Sequence, residues 1–236
     1  MTRIRPLHAC FLACLLALLG ACAGAPAAQN AAPRIPDQVS SVDWEQDMRR
    51  FAAADAATPP PRHAVLFIGS SSIRLWDTLA ADFPGVPVIN RGFGGSEIRD
   101  STHYAGRIVV PYAPRQIVLY AGDNDLSGGR SPQQVRDDFH AFVTRIRRDL
   151  PKVKIAYVSN KPSPSRVRLL EAQREANALI RQDIATMKGV EFIDVFTPML
   201  DAGGQPREDL FVEDRLHMNR AGYALWRKVI APYLDP

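Results

Sequence analysis

The sequence predicts an α/β fold: a five-stranded parallel sheet with helices on both faces, a three-layer sandwich. Three observations point to it. Short, continuous apolar runs recur along the chain, which is how strands buried on both faces read. Segments with apolar residues three and four apart alternate with them, as helices covering a sheet would. Polar and glycine-rich segments follow the apolar runs, where the carboxyl ends of parallel strands place their ligands.

The elements follow in order. Val42–Asp55 reads as a surface helix, with Trp44, Met48 and Phe51 spaced by four and three. Thr58-Pro-Pro-Pro61 ends it. The apolar runs Ala64–Ile68, Val86–Asn90, Gln116–Ala121, Lys154–Ser159 and Val190–Val195 read as the five strands. Helical patterns lie at Ile98–Gly106, Pro132–Leu150, Ser165–Met187 and Asn219–Leu234.

Ahead of this domain, residues 1–21 read as an export signal. Arg3 and Arg5 precede an apolar core from Cys10 to Leu19, too short for the roughly 20 residues that span a bilayer. Leu19-Gly20-Ala21-Cys22 looks like a bacterial lipoprotein box, with Cys22 the lipidated first residue of the mature chain. Cleavage after Ala25, releasing a soluble periplasmic or secreted protein, is the alternative. Residues 22–40, rich in Ala and Pro, read as a tether reaching on the order of 25 Å. Residues 41–236 form the folded domain. The expected location is the bacterial cell envelope, lipid-anchored, with the domain outside the cytoplasm.

Charge and cysteine narrow the function. The net charge is +4. Without residues 1–21, 27 basic residues face 25 acidic ones, which argues against a dedicated nucleic-acid surface. All three cysteines (Cys10, Cys14 and Cys22) lie at the N-terminus, so the domain has no disulfide and no thiol nucleophile. There is no zinc-type Cys/His spacing, P-loop or dinucleotide-binding glycine motif.

Four polar segments remain, and each has two readings. Gly69-Ser70-Ser71-Ser72 follows the first strand, and a serine run is a loop, a helix cap or the seat of a nucleophile. Asn90-Arg-Gly-Phe-Gly-Gly95-Ser96 follows the second; its glycines permit positive φ or open a backbone N–H to an oxyanion. Gly122-Asp123-Asn124-Asp125 follows the third, and Asn124 either makes an Asx turn or donates its amide to an oxyanion. Asp123 to Gly128 also opens like a calcium loop, but Gln134 stands where the bidentate glutamate belongs, and a strand precedes it. Asp214-Arg-Leu-His217 precedes the last helix. Across one helical turn Asp214 would meet His217 and orient its imidazole; otherwise it is a capping aspartate beside a solvent-facing histidine.

With these blocks in chain order, residues 62–234 resemble the SGNH hydrolases, also called the GDSL esterase/lipase superfamily. The resemblance implies a strand order 2-1-3-4-5, a flavodoxin-like arrangement. It also implies Ser71 as nucleophile, His217 as base and Asp214 as its orienting acid. The oxyanion hole falls to the N–H groups of Ser71 and Gly95 and the side chain of Asn124. No metal or organic cofactor is implied. Ser70 departs from the family, standing where an aspartate is usual. The implied activity is hydrolysis of carboxylic esters; because no long apolar segment suggests a lipase lid, short-chain acyl or acetyl groups are expected, on a small ester or acylated glycan. A lysophospholipase or acyltransferase of the envelope is the enzymatic alternative, and a non-catalytic binding lipoprotein the other. Lys161-Pro-Ser-Pro-Ser-Arg166, after the fourth strand, either lines the pocket or is a stiff loop with Ser165 capping the next helix.

Overall fold

A computed structural model describes residues 39–235. The signal segment, Cys22 and nearly all of the tether lie outside the described residues. The strands are β1 (Val65–Gly69), β2 (Val88–Gly92), β3 (Gln116–Tyr120), β4 (Lys154–Val158) and β5 (Val190–Ile193). All are parallel, in the order β2-β1-β3-β4-β5. The helices are α1 (Trp44–Ala57), α2 (Ser71–Arg74), α3 (Leu79–Asp82), α4 (Ile98–Ile108), α5 (Asp123–Ser127), α6 (Pro132–Asp149), α7 (Leu170–Ile184) and α8 (Arg220–Ile230).

The continuous apolar strands divide their side chains between two cores. Leu66 and Ile68 of β1, Ile117 and Leu119 of β3, and Ile155 and Tyr157 of β4 face α1, α4, α6 and α7. Their neighbours Val65, Phe67, Val118, Tyr120, Ala156 and Val158 face α2, α3 and α8. Because successive strand residues point to opposite faces, only a run apolar throughout suits a sheet covered twice. Trp76 anchors the second core, in contact with Phe67, Phe83, Tyr223 and Trp226. Its indole N–H donates to Asp82, which also takes two bonds from Arg220 and one from Thr78. The hydrogen bonds from Arg220 hold the Asp82 carboxyl well below the usual carboxylate range and tie α3 to α8.

Where element ends differ from the sequence reading, local chemistry explains it. Pro87 has no N–H to donate, so β2 begins at Val88. β5 stops at Ile193 because the Val195 and Phe196 amides donate to Ser159 Oγ instead of a ladder. The helix expected from Ser165 begins only at Leu170, after a 3₁₀ turn over Pro164–Leu169 in which Arg166 has non-helical angles. Ser165 is therefore no helix cap; its amide donates to the Arg215 carbonyl. The last helix is capped by the Asn219 side chain and yields to a 3₁₀ turn at Pro232. Among the described residues, no helix is long and apolar enough to cross a membrane.

β1 lies between β2 and β3, so the chain leaves β1 in opposite directions across the sheet. Such a switch point opens a crevice at the carboxyl end of the strands, and the polar segments after β1, β2 and β3 converge there.

Candidate active site

Ser71 is the first residue of α2, with Ser70 in the N-cap position. Gly69 makes the junction possible. Its φ is +136°, and a Cβ there would fall 1.8 Å from the Tyr120 carbonyl oxygen. The turn is then held without the family's aspartate. The Ser70 amide donates to Tyr120 O, and its carbonyl accepts from Ile73 and Arg74; the Ser70 hydroxyl makes no cap bond. From outside, Asn90 donates to the Ile73 carbonyl at 2.7 Å and Tyr223 to the Ser72 carbonyl at 3.0 Å. Ser72 is buried, while Ser71 lines an open cleft of about 730 Å³.

His217 lines the same cleft, its Nε2 3.0 Å from Ser71 Oγ and its Nδ1 2.6 Å from Asp214 Oδ2. The Asp-x-x-His pair meets, but not on a helix. Val212 exchanges backbone bonds with Arg215 and His217, and Arg215 adopts φ +59°. Asp214 Oδ1 closes the turn by accepting from the amides of Leu216 and His217 at 2.9 and 2.8 Å. Partial burial works against the Asp214 charge, but the bonds from the His217 backbone and ring and from Leu216 outweigh it. Its carboxyl is lowered to about 2.

Gly95 and Asn124 line the same cleft as Ser71. Gly95 has φ +86°, and a Cβ there would press on the Trp44 ring of α1 at 3.2 Å. The N–H groups of Ser71 and Gly95 meet no protein acceptor among the described residues. That is expected for the first residue of a helix and leaves both free for an anion. Asn124, in α5, donates one Nδ2–H to the Ser96 carbonyl and accepts at Oδ1 from Arg166, each at 3.0 Å. An amide carries two N–H donors, so one remains.

Behind Asn124 lies a buried ionic cluster. Asp123 meets Arg166 at 2.9 Å and Lys161 at 3.4 Å, and accepts from Gln173 at 3.1 Å. Burial opposes the Asp123 charge, yet the two cations outweigh it and hold the carboxyl below its ordinary range. Burial pushes the Lys161 ammonium down. Asp125, wholly buried and accepting from the Ile98 amide, is pushed up by desolvation and by Glu97. The acids of the calcium-like segment are thus turned to separate partners inside the protein.

Four further charged residues line the cleft: Asp47 and Arg50 from α1, Arg74 from α2, and Arg166. The first two were illegible in the sequence, because α1 reaches the site only through tertiary packing. Arg74 left a signal, standing three residues after Ser71 at a helix start. Arg166 is the pocket-facing end of the Lys161–Arg166 loop.

A parallel sheet in this order, with a serine, a histidine and an aspartate linked in series at its switch point, has the architecture of a serine hydrolase. The sequence matches the GDSL-like lipase/acylhydrolase family over residues 69–225, and the chain belongs to that family of ester-cleaving enzymes. Solved structures share the fold. A Streptococcus pneumonia protein provisionally described as a platelet activating factor superposes with TM-score 0.73 at 21% identity, covering 81% of this chain and 92% of that one. A GDSL-like lipase from Bacteroides thetaiotaomicron gives 0.66 at 21%, over 79% and 96%. An acetylxylan esterase from Geobacillus stearothermophilus gives 0.56 at 13%, over 73% and 94%. A search of curated proteins returns no match.

Proposed function

We propose that this hydrolase cleaves short-chain carboxylic esters, acetyl esters foremost, through an acyl-enzyme on Ser71. The observation that carries the reading is the series Asp214–His217–Ser71, with its 2.6 and 3.0 Å contacts. His217 Nε2 takes the Ser71 proton as Oγ attacks the carbonyl carbon. The tetrahedral oxyanion is held by the N–H groups of Ser71 and Gly95 and by the free Nδ2–H of Asn124. His217 then protonates the leaving alcohol, and water repeats the sequence to release the acid. Asp214 keeps the proton on Nδ1 and faces the imidazolium that forms.

The walls of the cleft support a small acyl group. Among the described residues, Leu216 is the one large apolar side chain lining it, so a long chain would find little apolar surface to bury, at about 0.8 kcal/mol per methylene. The acetylxylan esterase and a Clostridium thermocellum carbohydrate esterase with the same fold make an acetylated glycan a reasonable natural substrate. A lipid on Cys22 would hold the domain beside a bacterial envelope membrane.

A fluorophosphonate probe tests the nucleophile: wild type is expected to label at Ser71 and Ser71→Ala not at all. On aryl esters, kcat/KM is expected to fall from acetyl through butyryl to octanoyl; a rise along that series would overturn the short-chain reading. Asn124→Ala is expected to lower kcat about 10²–10³-fold, the usual effect of one oxyanion donor, with a smaller change in KM. An unaltered kcat would remove Asn124 from that role.

A further inference from the structure

We propose that Arg74 forms an anion subsite beside Ser71, so that the natural ester carries a carboxylate or a phosphate next to the scissile group. The proposal rests on the esterase reading of Ser71 and narrows its substrate.

Position comes first. Arg74 stands three residues after Ser71 on α2, and residues so spaced share a helix face; both line the cleft. Its guanidinium lies against Gly94, the residue before the Gly95 oxyanion donor. A Cβ on Gly94 would stand 2.7 Å from Nε and 3.1 Å from one terminal nitrogen. The loop that offers its N–H to the oxyanion is therefore pared down where the guanidinium rests.

Charge comes second. Among the described residues, three arginines and one aspartate line the cleft, and two of the arginines are already engaged. Arg50 is bridged to Asp47, and Arg166 to the buried Asp123 and to Asn124. The Arg74 side chain makes no ion pair or hydrogen bond to any described residue, and it is exposed. The wall thus carries one surplus cation, with its donors free, beside the nucleophile. A guanidinium presents a planar fork that matches a carboxylate or phosphate with two parallel bonds.

Phenyl acetate and its para-carboxylate and para-phosphate derivatives test this, with acetate release followed at low and moderate salt. Wild type is expected to favour at least one charged ester over the neutral one by about tenfold in kcat/KM, mostly through KM. Arg74→Gln is expected to lower the charged-to-neutral ratio about tenfold, the usual loss when a charged hydrogen-bond partner is removed. Arg74→Lys, a point charge without the fork, should restore part of the ratio. Fluorophosphonate labelling of Ser71 in each variant shows that the site is assembled. A preference for the carboxylate or for the phosphate identifies the anion, and either supports the subsite. Turnover of all three esters with no preference, or a preference surviving Arg74→Gln, overturns the subsite alone. Absence of turnover with all three esters would overturn the esterase reading and the subsite with it.

Discussion

Replacing Ser71 with alanine is expected to lower kcat on an acetate ester by between about 10⁴-fold and 10⁶-fold, the span of losses when one member of a triad is removed. On the proposed mechanism, what remains is water attacking a carbonyl still polarised by Gly95 and Asn124. The loss should be chemical rather than structural. α2 is anchored by Asn90 on Ile73 and by Tyr223 on Ser72, and neither contact involves the Ser71 side chain. The melting temperature of the variant should therefore stay near that of wild type. His217→Ala is expected to fall in the same range, and the double variant to be no worse than either single one, because nucleophile and base act as one unit. Rates on a chromogenic acetate, corrected by probe titration of active sites, decide the matter. A Ser71→Ala protein retaining more than about one hundredth of wild-type kcat would exclude Ser71 as the nucleophile.

What the sequence conveyed depended on the range of the interactions involved. Five apolar runs were legible because burial on both faces leaves its mark on every strand residue, as in Val65–Ile68. The order of the strands was not in that pattern; it came from the family resemblance, and the structure agrees. Gly69 illustrates why. Its need to be glycine comes from Tyr120, a strand away, and nothing local announces it. The Asp-x-x-His spacing signalled that Asp214 and His217 meet, but the helical turn assumed for it is in fact a tight turn with Arg215 at positive φ. Arg215 is a residue type that gives no warning of such a conformation. The turn after Ser70 is held in part by Asn90 of β2 and Tyr223 of α8, partners that only the fold brings there.

That turn sets the second large effect. Asp214→Asn is expected to lower kcat by about 10³–10⁴-fold with KM little changed, comparable to the loss when a triad aspartate becomes an amide. Two backbone N–H groups donate to Asp214 Oδ1, and in an asparagine only the carbonyl oxygen can accept them. The NH₂ group must then face His217 Nδ1. An imidazole that accepts there carries its proton on Nε2 and cannot take one from Ser71. Asp214→Ala removes the turn bonds but imposes no tautomer. The Asp214 side chain is 48% exposed, so water can take the Nδ1 proton bond in its place. The asparagine variant, although nearly isosteric, is therefore expected to be at least as inactive as the alanine variant. With its carboxyl lowered to about 2, Asp214 is ionised throughout the working range of an esterase. Protonation of Asp214 should accordingly not narrow the gap between wild type and Asp214→Asn anywhere from about pH 5 to pH 9. Initial rates for the three proteins across that range are the measurement. An asparagine variant tenfold more active than the alanine one would mean that Asp214 acts by holding the turn, not by fixing the tautomer.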